Sequence, residues 1–301
     1  MHDDSYANWV LAVSHPTQGR RFINGFNLLV DRFDDQLGIL PPRMATIEEL
    51  ALVHEASYLT AVTEDYLCSE WSGHRGDLAR LAQTFVGGTL VALDALLDGS
   101  TLTAVHLPGA KHHAQYDRSS GFCVFADFAI AAKVAVAKGL KVAILDVDAH
   151  HGDGTENLCL DDPNIMTFSV HESGIFPGTG LADYPENHAY NDALVRGDGD
   201  DQLIAAVSRF GALAHEFKPD LIFVAAGADG HELDPLSSLQ YKSGGMFLAL
   251  AYLRNLFPST PFLMGGAGGY RPDDATPEMW DNAVHALTLG AVLPLGYSSD
   301  V

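Results

Sequence analysis

Between Asp146 and Asp153 the chain sets five ionisable side chains in eight positions, Asp146, Asp148, His150, His151 and Asp153, within the stretch KVAILDVDAHHGDGT. Carboxylates and imidazoles are the oxygen and nitrogen donors that hold divalent metals. A second cluster, AAGADGHELDPL, carries Asp229 just after another apolar run. Asp148, His150 and Asp229 together supply two carboxylates and one imidazole. Such a set can hold zinc and leave a position for water and a substrate oxygen, whereas structural zinc sites fill all four positions with protein. The tandem imidazoles His112 and His113 add groups that can carry protons, so the chemistry indicated is metal-assisted hydrolysis. Each residue also has a plainer reading. An Asp at a strand end caps a helix or turn, a His closes a local hydrogen bond, and neighbouring His side chains need not face the same way.

Such chemistry needs strand ends to carry it. KVAILDVD is a buried-strand pattern that follows a helix-like stretch at 128–137 closed by Gly139. Strand patterns at 165–170, 221–226 and 261–264 alternate with helical patterns at 201–217, 246–256 and 276–289. The alternation predicts an α/β fold with a mainly parallel sheet and helices on both faces. Ligands bind outside the carboxyl ends of such strands, where both Asp-bearing clusters fall. Upstream, 45–59 reads as one helix with Thr46 and Glu49 as a capping box, and 77–97 as a close-packed helix with Gly99 as its C-cap. Residues 9–13 form a short strand candidate. HPTQGRRF after them, with His15, Arg20 and Arg21, reads as a solvated turn, with a substrate-entry or oligomer-contact loop as the functional alternative; 176–199 is the main irregular region. With no repeat, low-complexity tract or long linker, residues 1–301 are expected to form a single domain.

Composition narrows the function classes. A chain of 301 residues with 47% apolar and 19% charged side chains is long enough to bury a large core. Seventeen basic against 39 acidic residues give a net charge of −22, which opposes binding to a phosphate backbone or an anionic membrane and suits cationic or neutral substrates. Neither a nucleic-acid nor a membrane partner is expected. Three cysteines, Cys68, Cys123 and Cys159, without paired spacing indicate a reducing compartment. The first residues lack the basic and long apolar regions of a secretory signal, and the apolar runs fall short of the roughly 20 residues of a membrane span, so a soluble cytoplasmic protein is expected. HGDG and GGAGG match neither a dinucleotide fingerprint nor a phosphate loop.

The motifs DVDAHHGDGT (146–155), KHHA (111–114), GFC (121–123), FPGTG (176–180), GADGHELDPL around Asp229 and GGAGGY ending at Tyr270 occur in an order that resembles the histone deacetylase superfamily. These are zinc-dependent amidohydrolases with an arginase-like, three-layer α/β fold, and the resemblance spans most of the chain. It implies that Asp148, His150 and Asp229 are zinc ligands, that His112 and His113 are the paired active-site histidines, and that Tyr270 stabilises the developing oxyanion. It further implies that Asp153 stands behind the second histidine, and that Asp146, behind the first, shares an internal potassium site with Ser169. Phe122 and Phe176 match the aromatic walls of an acyl-chain tunnel, and Leu236 its rim. The implied cofactors are Zn²⁺ and a structural K⁺. The implied reaction removes an acetyl or related acyl group from an acylated lysine peptide or a small acylated amine, with His113 as general base and acid and His112 tuning the electrostatics.

Some positions depart from the family pattern. HLPGAKHHA stands where relatives more usually have an arginine, two prolines and a glycine before the histidines, so Leu107 replaces basic character and the cavity below the metal changes in shape or polarity. Acyl groups longer than acetyl stay open. FADF at 125–128 replaces an asparagine-containing stretch. Leu236 lacks the negative charge that polyamine-selective relatives can carry at the rim. An acetylpolyamine or other small-molecule deacetylase is the alternative enzyme, a non-catalytic acylated-ligand binding protein the alternative outside enzymes, and a homo-oligomer is compatible with either.

Overall fold

The computed structural model describes residues 1–289. The first helix, α1 (Arg20–Phe33), buries Phe22, Leu29 and Phe33 on one face, with Arg21 buried beside them. HPTQGRRF is therefore no solvated turn: its last three residues open a helix. Residues 9–13 are not a strand either, and hold only an isolated bridge between Val10 and Gln18. The capping box at Thr46 and Glu49 is present, but α2 (Ile47–Leu50) lasts a single turn before α3 (Ala56–Thr63) begins. The expected single helix breaks because the chain at 54–55 bonds elsewhere: Glu55 N–H donates to the Tyr116 carbonyl at 2.8 Å and the His54 ring bonds the Gln115 carbonyl.

Helix α4 (Gly76–Leu97) is long and apolar enough to cross a membrane by length and hydropathy, yet two-thirds of that apolar window is buried in the fold, as in a core helix. The chain continues through β1 (Thr103–His106), α5 (Asp127–Ala137), β2 (Val142–Asp146), α6 (Asp153–Cys159), β3 (Ile165–Glu172), β4 (Ala189–Leu194), α7 (Asp200–Phe217), β5 (Leu221–Ala225), α8 (Ser243–Leu256), β6 (Phe262–Gly265) and α9 (Ala275–Leu289). Two strands were not legible beforehand: β1, and β4, which lies inside the stretch expected to be irregular and pairs with β3.

The six strands form one sheet in the order β1-β6-β5-β2-β3-β4, every pair parallel. Central strands β2 and β5 are buried at every residue, which explains their unbroken aliphatic runs. Helices α4, α5 and α6 pack together as one layer, while α7, α8, α9 and α1 form the other. The fold is the expected three-layer α/β arrangement, with all strands parallel.

Candidate active site

The chain crosses the sheet in two directions from β2, laying β3 and β4 on one side and β5 and β6 on the other. Such a switch point opens a crevice at the carboxyl ends of the strands. Asp148 and His150 follow β2 and Asp229 follows β5; all three are buried, with donor atoms within 4.8 Å of one another. His150 Nδ1 faces both carboxylates, 3.2 Å from Asp148 Oδ1 and 2.9 Å from Asp229 Oδ2. Backbone amides aim those carboxylates: Gly268 N–H donates to Asp148 Oδ2 at 2.6 Å and Ala149 N–H to Asp229 Oδ1 at 2.8 Å. A methyl group on Gly268 would overlap both acids, so only glycine lets this backbone come so near.

Burial and the facing Asp148 raise the Asp229 carboxyl to about 6. Burial acts on Asp148 too, but His112 and His150 outweigh it and hold that carboxyl well below its ordinary range. A divalent cation would relieve the repulsion between the two acids. Two oxygens and one nitrogen are donors zinc accepts while keeping a position free, so these residues fit the ion.

His112 and His113 lie on the loop after β1 with ring centroids 4.0 Å apart. Each Nδ1–H donates to a carboxylate at 2.7 Å, His112 to Asp146 and His113 to Asp153. Their surroundings separate them. Burial disfavours charge on His112, but Asp146 and Asp148 overcome it and raise the ring to about 9. Burial and the neighbouring His112 push His113 down to about 4. With Nδ1 committed to Asp153, neutral His113 has Nε2 free to accept a proton at pH 7.

Tyr270 follows β6, its amide donating to Asp234 Oδ2 at 2.7 Å. Burial and Asp229 push its hydroxyl well above the usual range, so it stays a donor. The Phe122 ring stands 6.0 Å from Tyr270, and the half-exposed Phe176 ring 5.0 Å from His113. Leu236 is partly exposed, and its amide donates to Asp234 Oδ1 at 3.0 Å, so one carboxylate spans the backbones of Leu236 and Tyr270. Asp146 and Ser169 are register partners on β2 and β3 and border a 10 Å³ cavity with Gly152 and Thr155, room for one ion or water. A cavity of 470 Å³ lies elsewhere, along β1 and the apolar face of α1 at Phe26, Leu29 and Phe33.

Residue-by-residue reading missed three supports. Arg21 donates from Nη1 to the Gly269 carbonyl at 2.6 Å and from Nη2 to the Ala267 carbonyl at 3.1 Å, tying α1 to the segment that ends in Tyr270. The helical spacing of Phe22, Phe26, Leu29 and Phe33 was the available signal. Asp127, within FADF, accepts from the amides of Ala110 at 3.0 Å and Lys111 at 2.7 Å and so fixes the backbone before the histidine pair. Glu70 accepts the Phe122 amide at 3.0 Å. Nothing local in the sequence marks these two.

The sequence profile of the histone deacetylase domain matches residues 15–287, which takes in both histidine motifs and every acid named above. The chain belongs to the histone deacetylase family. Acetoin utilization protein AcuC of Staphylococcus aureus (strain MRSA252) is 33% identical over 274 residues, 83% of this chain and 70% of the relative. AcuC of Bacillus subtilis (strain 168) is 34% identical over 263 residues, 79% and 68%. A protein of Oryza sativa subsp. japonica named histone deacetylase 10, chloroplastic, is 34% identical over 239 residues, 70% of this chain and 54% of its own length. The crystal structure of the HDA15 HD domain superposes with a TM-score of 0.83 at 24% identity, covering 95% of this chain and 89% of that one. That likeness establishes the histone deacetylase fold, and the family match places the chain among the deacetylases.

Proposed function

We propose that this member of the histone deacetylase family is a zinc-dependent amide deacylase that removes an acetyl or related acyl group from an acylated lysine peptide or a small acylated amine. The observation that carries this reading is the shared crevice: a three-donor metal set, a neutral carboxylate-backed imidazole and a Tyr hydroxyl lie beside two aromatic rings. Asp148, His150 and Asp229 would hold the ion, which when bound polarises an amide carbonyl and acidifies water.

The chain's own groups supply the rest. Phe122 and Phe176 cover a methylene chain and exclude water while the polar remainder stays outside. His113 Nε2 accepts a proton from the attacking water, and Asp153 steadies the imidazolium that results. Tyr270 donates to the oxygen on which negative charge develops. His112, charged against Asp146, adds positive potential without changing protonation. As the C–N bond breaks, His113 Nε2 returns its proton to the leaving amine. Asp146 and Ser169, around their small cavity, would hold a potassium ion that fixes the β2–β3 end electrostatically. A neutral Leu236 at the rim favours acyl-lysine over acetylpolyamine.

The test is a panel of acetyl-lysine peptides, longer acyl-lysines, acetylated polyamines and small acetylated amines under controlled metal, with released carboxylate measured directly. Zinc-dependent release from acyl-lysine is expected. No release from any acylated amine by zinc-loaded protein overturns the reading.

A further inference from the structure

Four buried polar side chains from four separate segments join in one line. Tyr6, on a short 3-10 turn at Asp4–Asn8, places its hydroxyl 3.0 Å from Nε2 of His106, the last residue of β1. His106 Nδ1 lies 3.0 Å from Thr89 Oγ1 on α4. Thr89 in turn donates at 2.5 Å to Oδ2 of Asp127, the first residue of α5. All four residues are 0% exposed, so bulk water reaches none of them. The line ends on the backbone before the histidine pair, where Asp127 Oδ2 accepts the Ala110 amide at 3.0 Å and Oδ1 that of Lys111 at 2.7 Å.

Donor counting fixes the direction of every link. Both Asp127 oxygens accept backbone N–H groups, so the carboxylate is ionised and Thr89 donates its single hydroxyl proton to it. Thr89 Oγ1 can then only accept from His106, which puts the ring hydrogen on Nδ1. Nε2 is left bare and accepts the Tyr6 hydroxyl. Burial, with the Met1 ammonium and Lys111 acting the same way, holds His106 well below the ordinary imidazole range, in keeping with a neutral ring. Strain lies at the other end. Ala110 has φ +63°, a left-handed backbone that a residue with a side chain seldom adopts unsupported, and its amide is one of the two that Asp127 grips. His112 and His113 follow Lys111 directly in the chain. The line also joins the two stretches that depart from the family pattern, HLPGAKHHA through His106 and FADF through Asp127. Without the Thr89 hydroxyl, His106 Nδ1–H is buried with no acceptor and Asp127 loses the side-chain donor that fixes its rotation.

We propose that Tyr6, His106, Thr89 and Asp127 are positioning residues, a directed hydrogen-bond relay that runs from the Asp4–Asn8 turn to the loop before the histidine pair and sets where the His112 and His113 rings stand. The effect of the relay on turnover rests on the deacylase reading above. Its direction and its grip on the rings do not.

Two readouts on the zinc-loaded full chain test this. Long-range proton–nitrogen NMR on protein labelled at histidine should find His106 with Nδ1 protonated and Nε2 bare; a hydrogen on His106 Nε2 overturns the relay. In the same spectra Thr89→Val should move the ring signals of His112 and His113 and leave that of His215, on α7, in place. Thr89→Ser, which restores the hydroxyl, should return them. In steady-state kinetics on an acetyl-lysine peptide, Thr89→Val should lower kcat roughly 10-fold with KM little changed. Thr89→Ser should recover most of that loss, and Tyr6→Phe, at the far end of the line, should lower kcat roughly 3-fold. A lower Tm in Thr89→Val with kcat and the His112 and His113 signals unmoved makes the line mere scaffold and overturns the proposal. Should Thr89→Val not fold, the wild-type His106 tautomer and the ring signals of Tyr6→Phe still decide. Ring signals that follow Thr89 in a protein that turns over no acylated amine leave the relay standing and sink the deacylase reading.

Discussion

His113 Nδ1–H donates to Asp153 Oδ1 across 2.7 Å, and Oδ2 of the same carboxylate accepts from Gln115 Nε2 at 2.8 Å. The acid is held from both sides, so it fixes which nitrogen of His113 carries the hydrogen and leaves Nε2 as the nitrogen able to accept a proton. Asp153→Asn keeps the shape but lets the amide present the wrong partner to the ring. Steady-state kinetics on an acetyl-lysine peptide should give a kcat about 10- to 100-fold lower with KM little changed. An unchanged kcat would remove Asp153 from the mechanism.

Tyr270 contributes a hydroxyl that burial keeps protonated. Tyr270→Phe preserves the ring contact with Phe122 and deletes only the donor, so kcat should fall about 10²- to 10³-fold. Near-normal turnover would leave Tyr270 as a packing residue.

Metal binding should release protons. Without a cation, Asp148 and Asp229 hold the buried His150 ring protonated up to about 11, so zinc entering at pH 7 must displace that proton. Calorimetry in buffers of different ionisation enthalpy should report about one proton released per zinc bound. Affinity should also weaken as pH falls through about 6, where Asp229 takes up a proton that competes with the ion. Asp148→Ala should abolish both binding and turnover.

Gly121 sits at φ +53°, and a methyl group there would overlap the His113 ring and come within 2.9 Å of Phe176 Cε1. Gly121→Ala should therefore displace the His113 and Phe176 rings together. Its signature is a drop in kcat/KM of about 10-fold or more, with a destabilisation of about 1–3 kcal/mol visible in denaturant titration. Wild-type kinetics in this variant would mean the loop yields without disturbing the site.

His54 offers a test of pH-linked stability away from the metal. Its Nδ1–H donates to the Gln115 carbonyl at 2.9 Å and its Nε2 accepts the Ala126 amide at 3.0 Å, an arrangement only the neutral ring can make. Burial pushes the folded-state value down to about 4, against 6.5 for the free side chain. The unfolded chain thus binds the extra proton between those values, so this contribution is complete above pH 6.5 and lost as pH falls toward 4. The stability difference between wild type and His54→Gln should shrink by roughly 3 kcal/mol over that window. A difference independent of pH would refute the assignment.

Much of this was written locally in the chain. An aliphatic run ending in Asp, as in KVAILDVD or LIFVAAGAD, declares a buried parallel strand and what stands at its mouth, because strand burial and strand polarity are both sequence-local. The order of the motifs likewise announced the family and the donor types. Short elements hid for the opposite reason. TAVH is too brief to show a period, β4 reads AYNDAL with polar side chains on a flank of the sheet, and Arg21 looked solvated because its acceptors, the carbonyls of Ala267 and Gly269, are some 250 residues away in the chain. Residue types alone fixed which groups could bind a metal or move a proton. Only the tertiary structure decided that His113 is neutral while His112 is charged, since the split comes from Asp146 and Asp148 facing one ring across strand ends, and charge at a buried group is set by neighbours that chain order does not reveal.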